Sequence, residues 1–129
     1  MMLTDEQAAA LQSRAMVRAW GLSATGPVCT SAEASPGLRA AIAGVFPLPV
    51  EYFQSIDDLK TGIGSDYRCT VVSPQQVRTL RAGLVGVDVW VLYADLRGGA
   101  QTFLFRWDGA QWVDTDAQQS GITVTTATS

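Results

Sequence analysis

The sequence predicts an α+β fold, with N-terminal helices packed on a curved antiparallel β-meander. Three observations predict it. Helix caps and apolar residues at helical spacing occupy the front half of the chain, and β-branched runs punctuated by turn residues occupy the back half. The 129 residues, 47% hydrophobic and 16% charged, are also too apolar to stay unfolded. A chain of this size buries about two-thirds of its surface on folding. We read one domain over 1–129, its helical part at about 4–62 and its sheet at about 66–126.

Thr4 followed by Gln7 is a capping box, and Asp5 and Glu6 suit the positive end of a helix dipole. A helix is expected over about 4–20, ended by Gly21, with Ala8, Leu11, Ala15, Ala19 and Leu22 on its inner face. Arg14 and Arg18 are placed opposite that face, as solvated side chains. Residues 21–35 are rich in turn formers and read as irregular. Ser35-Pro36 is a cap with proline at the first helical position. Leu38, Ala41, Ile42 and Val45 then point inward, and Gly44 is a stop. In FPLPV (46–50) each proline forces the residue before it out of helical geometry, so an extended segment is expected. Ser55 and Asp58 cap one short turn, closed by Gly62.

Strands begin with Tyr67–Val72, interrupted by Pro74; Val77–Leu84 alternates weakly up to Gly86. Val87–Leu96 is apolar on both parities, as in a central strand covered at least partly on both faces. Arg97-Gly98-Gly99 reads as a turn. Gln101–Trp107 and Ala110–Asp114 flank Asp108-Gly109, a strong hairpin signal. A two-residue turn there puts Phe105 opposite Trp112 and Leu104 opposite Val113. It also gathers Phe103, Phe105, Trp107 and Trp112 on one face, read as the contact with the first helix. The tail around Ile122 and Val124 is an edge strand or unstructured.

Composition excludes much chemistry. The sequence has no histidine, which removes histidine-based nucleophilic catalysis, histidine-ligated metals and histidine proton switching. Nine basic residues against twelve acidic ones argue against nucleic-acid binding. Asp114-Thr115-Asp116 starts like a calcium loop but lacks its later ligands and glycine. No cofactor motif is present. Lys60 is the sole lysine, and nothing sets Ser55 or Ser65 against it. The one acid/base route left is an Asp buried in an apolar pocket, with Asp66, Asp88 and Asp95 as candidates and Tyr67 and Tyr93 as donors. Cys29 and Cys69 are the only cysteines and are not in a C-x-x-C pair. They read either as a bridge, favoured because they are the only two, or as buried thiols, and their Cα atoms are expected within about 7 Å. No stretch nears the roughly 18 apolar residues that cross a bilayer. The start, MMLTDEQAAALQ, is acidic where a signal peptide is basic. An extracytoplasmic place follows if the chain is an excised mature domain, and a cytoplasmic one otherwise.

One long helix, short helices and then a bent meander rich in Trp and Tyr resemble the NTF2-like or cystatin-like superfamily. Residues 87–113 (VDVWVLYADLRGGAQTFLFRWDGAQWV) carry most of that resemblance, ending in its closing hairpin. The resemblance implies a cone-shaped α+β domain, and the family holds both small-molecule enzymes and non-catalytic domains of bacterial envelope and secretion proteins. The histidine usual in the enzymes is absent, which favours the non-catalytic branch. The expectation is therefore a binding domain for a protein partner. Its expected contact surface is the exposed side of the sheet around Trp90, Leu104, Arg106 and Val113, or the FPLPV segment near Phe46. A small-molecule binder or enzyme using a buried Asp, and an acidic inhibitor of a basic partner, are the alternatives.

Overall fold

Helix formation starts at Thr4 in the computed structural model, which describes residues 3–23, 27–59, 68–92, 98–121 and 127–128. Thr4 Oγ1 accepts the Gln7 N–H at 3.1 Å, and Gln7 Oε1 accepts the Thr4 N–H at 3.0 Å. The reciprocal pair satisfies two donors that a helix start leaves without an internal partner. Helix α1 runs from it over Asp5–Ser23, through Gly21. Strand β1 (Val28–Ser31), helix α2 (Pro36–Val45), strand β2 (Val50–Phe53) and a 3-10 turn (Ile56–Leu59) follow. The cap of α2 is the expected one, with Ser35 Oγ accepting the Leu38 N–H at 3.1 Å. The short turn likewise starts at Ser55, whose N–H reaches Asp58 Oδ2 at 3.1 Å. Gly62 lies outside the described residues.

Strands β3 (Thr70–Arg81), β4 (Leu84–Leu92), β5 (Gly98–Trp107) and β6 (Trp112–Thr115) come next, then the short helix α3 (Ala117–Ser120) and β7 (Ala127–Thr128). The sheet is ordered β2-β1-β3-β4-β5-β6, with β7 against β5. Strands β3 to β6 pair antiparallel in sequence order. The wholly antiparallel expectation is corrected, because β1 is parallel to both β2 and β3 and the sheet is mixed. The helical front half thus contributes two strands. Both are four residues long, and each is held by partners distant in sequence. Neither has enough alternation of its own to read as a strand. Ile122 and Val124 lie outside the described residues.

Three turn assignments move. The reversal between β3 and β4 is at Ala82-Gly83, where Gly83 has φ +76°, and Gly86 sits inside β4. Gly86 is small because a Cβ there would stand 3.1 Å from Thr102 Cγ2 and 3.3 Å from Leu80 Cδ1. Gly98 and Gly99 are ladder residues paired with Leu92 and Val91. The β5–β6 hairpin exists, but Trp107 faces Trp112, Arg106 faces Val113, Phe105 faces Asp114 and Leu104 faces Thr115. The loop is therefore Asp108–Gln111 and not a two-residue turn. Asp108 Oδ1 accepts the N–H groups of Ala110 and Gln111, each at 2.8 Å, and the Asp108 N–H reaches the Gln111 carbonyl at 3.0 Å. The Gln111 and Ala110 donors hold this carboxyl below the usual carboxylate range. Trp107 and Trp112 meet edge to face with centroids 5.4 Å apart. Gly109 has φ +103° and open space around its Cβ position. Gly109→Val is therefore expected to cost backbone strain alone, about 1 kcal/mol. That is roughly 4 °C in Tm for a chain of this length, and an unchanged melting curve would contradict it.

Pleating divides the core in two. Val85, Val87, Val89 and Val91 of β4, Phe103 and Phe105 of β5, and Val72 of β3 face Leu11, Ala15, Met16 and Ala19 of α1 and Leu38 and Ile42 of α2. Leu22, expected inside, is 69% exposed, while Ala9 and Met16 extend the buried arc. On the other side of the sheet Cys29, Phe53, Leu59, Cys69 and Val71 form a smaller cluster, with Ile56 and Leu92 against it. A Cys29–Cys69 disulfide joins it, the Cα atoms 6.0 Å apart.

Candidate interaction surface

The sheet face toward α1 is closed by Arg14 and Arg18, which lie against the sheet, a correction to their expected place in solvent. At 100° per residue Arg18 falls about 20°, and Arg14 about 60°, from Leu11, so both border the buried arc. Arg14 donates to the Trp112 carbonyl at 3.0 Å and to Asp114 Oδ1 at 2.6 Å. Arg18 donates to the carbonyls of Leu104 at 3.0 Å and Thr115 at 3.2 Å. Their guanidinium carbons lie 4.9 Å from the Phe105 centroid (Arg14) and 5.0 Å from that of Phe103 (Arg18). Burial lowers the Arg18 pKa, and the Asp114 carboxylate counters that. The pair bolts α1 to the β5–β6 edge.

The candidate metal and acid/base positions are accounted for by the fold or lie outside the described residues. Asp114 is taken by Arg14, and Asp116 caps α3 by accepting the Gln119 N–H at 2.7 Å. Among the described residues no group of three His, Cys, Asp or Glu side chains is placed to hold a metal. Asp66, Asp95, Tyr67, Tyr93, Lys60 and Ser65 lie outside the described residues. Asp88 is on the face away from α1, with its side chain 31% exposed. It accepts from Arg78 Nη2 at 3.0 Å and from the Thr102 hydroxyl.

That face carries the expected contact residues in cross-strand rows, since residues paired across strands share a side. Arg81, Leu84, Arg106 and Val113 form one row, Arg78, Gly86, Leu104 and Thr115 the next, and Ser73, Trp90 and Ala100 a further one. Trp90 is 38% exposed, Arg106 is exposed and Val113 is half-buried. Leu104 is a correction. It is only 2% exposed, because its Cδ2 fills the space left by Gly86, 3.4 Å from where a Cβ would be. Phe46 is also buried, tilted against Trp20 with centroids 6.0 Å apart. The apolar cleft after it, lined by Ile42, Pro47, Leu48, Pro49 and Tyr52, has a volume of about 450 Å³.

Among the described residues, no helix is long and apolar enough to cross a membrane. No protein-family model, curated protein or solved structure matches this sequence.

Proposed function

We propose that this chain is a contact domain of the non-catalytic NTF2-like or cystatin-like kind, and that it meets a protein partner through the sheet face opposite α1. In this reading the antiparallel strands β3–β6 form the curved meander and α1 and α2 are the helices packed on it. The observation that carries the proposal is Trp90, the one aromatic among the large exposed apolar side chains of the described residues. It stands between Ser73 and Ala100, residues too small to cover it. Partly exposed aromatics set among small and polar neighbours are the anchors that protein interfaces favour. The disulfide supports an extracytoplasmic place, because such bridges persist in oxidising compartments.

Photo-crosslinking tests the proposal. A photoreactive residue in place of Trp90, in cells of the producing organism, is expected to give one discrete adduct that re-forms when the identified protein is purified and mixed with the domain. The same residue at Ala43, exposed on α2, is expected to give none. Equal patterns from the two positions, or no adduct from position 90, would overturn it.

A further inference from the structure

Building on that proposed contact face, we infer that its hairpin end holds an acidic segment of the protein partner through Arg81 and Arg106. Five of the seven described arginines are already engaged within the fold. Arg14 pairs with Asp114, Arg18 with two carbonyls, Arg68 with Glu51 and Arg78 with Asp88. Arg39 donates to the carbonyls of Ala32 and Ala34 and lies over the Tyr52 ring. Arg81 and Arg106 are the two exceptions. Both are exposed, and their side chains make no hydrogen bond or ion pair among the described residues. They also fall in one cross-strand row, on either side of Leu84. A register shift between Thr79 and Arg81 lets Leu80 and Arg81 together oppose Leu84, which keeps Arg81 in that row.

The nearby carboxylates make no ion pair with them, although the Arg106 charge is a lesser contributor to the lowered Asp108 pKa, behind the loop N–H groups. Asp88 is held by Arg78 and Thr102, Asp114 lies under Arg14 on the α1 side, and Asp108 is turned onto the N–H groups of its own loop. Two guanidiniums without an ion-pair partner among the described residues, two strand spacings apart, roughly 10 Å, thus stand together in a chain whose net charge is −3. The row reads Arg, Leu, Arg, Val across β3, β4, β5 and β6. Leu84 between them is only 2% exposed, so the row offers its two guanidiniums and fits a segment that presents two carboxylates for bidentate pairing. Two cations are too few for an anionic membrane, which takes clusters of four to eight. The acidic balance of the whole chain opposes a nucleic acid.

The test uses the full chain, isotope-labelled for amide spectra. Four probes are added separately: a synthetic peptide alternating Glu and Thr, its Lys and Thr counterpart, inorganic phosphate, and vesicles containing phosphatidylserine. The acidic peptide is expected to shift the amides of Leu84, Arg106 and Val113 in a saturable, salt-sensitive way. Arg81→Glu with Arg106→Glu is expected to weaken it about tenfold. Arg81→Lys with Arg106→Lys should fall between, since lysine keeps the charge and loses the fork. Should the double reversal disturb folding, Arg81→Gln and Arg106→Gln singly are expected to weaken binding about threefold each. Shifts no larger than with the lysine peptide, equal shifts with phosphate or vesicles, or affinity unchanged in the variants would overturn the inference. If the adduct at position 90 forms equally in the double reversal while the acidic peptide is silent, this inference fails and the contact-face proposal stands. Loss of that adduct in the unaltered chain removes the proposal itself.

Discussion

Replacing Cys29 and Cys69 with alanine is expected to lower the melting temperature by roughly 15 °C, the scale of a 4 kcal/mol loss in a chain of this length. The bridge spans a sequence separation of 40, and closing such a loop in the unfolded chain is worth about 4 kcal/mol in the chain-entropy account. The position of the bridge says where the loss appears first. Cys29 and Cys69 are two of the five buried residues of the smaller cluster, which shares no buried member with the cluster between α1 and the sheet. Without the cystine, Phe53, Leu59 and Val71 lose central neighbours, while Leu11, Met16, Val87 and Phe105 keep theirs. Amide exchange is therefore expected to speed up in β1, β2 and the Ile56–Leu59 turn before it does in α1, β4 or β5. Reduced but unsubstituted protein separates the terms, because two thiols still pack as small apolar groups and only the chain constraint is gone. A variant melting within a few degrees of the bridged protein would show that the link constrains little.

The parts of the fold legible in the sequence are those written in local chemistry. The Thr4–Gln7 box, the Ser35-Pro36 start and the Asp108-Gly109 reversal each rest on a side chain meeting a backbone group within four residues. The strands β1 and β2 rest on parallel pairing with each other and with Thr70 and Val71, which no local pattern encodes. The hairpin is instructive because its expected register was wrong by two residues, yet the grouping of Phe103, Phe105, Trp107 and Trp112 on one face survives. A slip of two keeps every side chain on its side of the sheet, where a slip of one would have reversed them all. The same holds for the contact face. Trp90, Arg106 and Val113 lie on it through strand alternation alone. Leu104 shares that side but is lost to solvent because of Gly86 on the neighbouring strand, a pairing that depends on the fold. Arg81 is not legible in the same way, because its place in the row depends on the register shift between Thr79 and Arg81.

Phe105→Ala is expected to cost about 4 kcal/mol, within the range for emptying a fully buried aromatic site. Phe105 is 0% exposed and heads the largest completely buried side chains. Its ring lies in the cluster with α1 and β4, and the guanidiniums of Arg14 and Arg18 are 4.9 and 5.4 Å from its centroid. Alanine removes the ring's contacts and also the π face that the two cations cover. The surrounding strands are fixed by ladder hydrogen bonds on both sides of β5 and cannot close the void. Phe105→Leu keeps most of the volume and is expected to cost about 1.5 kcal/mol. A double-mutant cycle with Arg14→Met, which keeps the apolar stem and deletes the charge, isolates the cation–ring contact at about 1 kcal/mol. Most of the cost of Arg14→Met itself then comes from Phe105 and the Trp112 carbonyl, because the Arg14–Asp114 pair is partly solvated and exposed pairs contribute little. Urea unfolding of the unaltered protein, the two Phe105 variants, Arg14→Met and the double variant, read for midpoint and slope, measures these terms. A Phe105→Ala loss below about 1 kcal/mol would mean that α1 is not held on the sheet through this ring. A coupling near zero would return Arg14 to the role of a solvated side chain that merely passes over it.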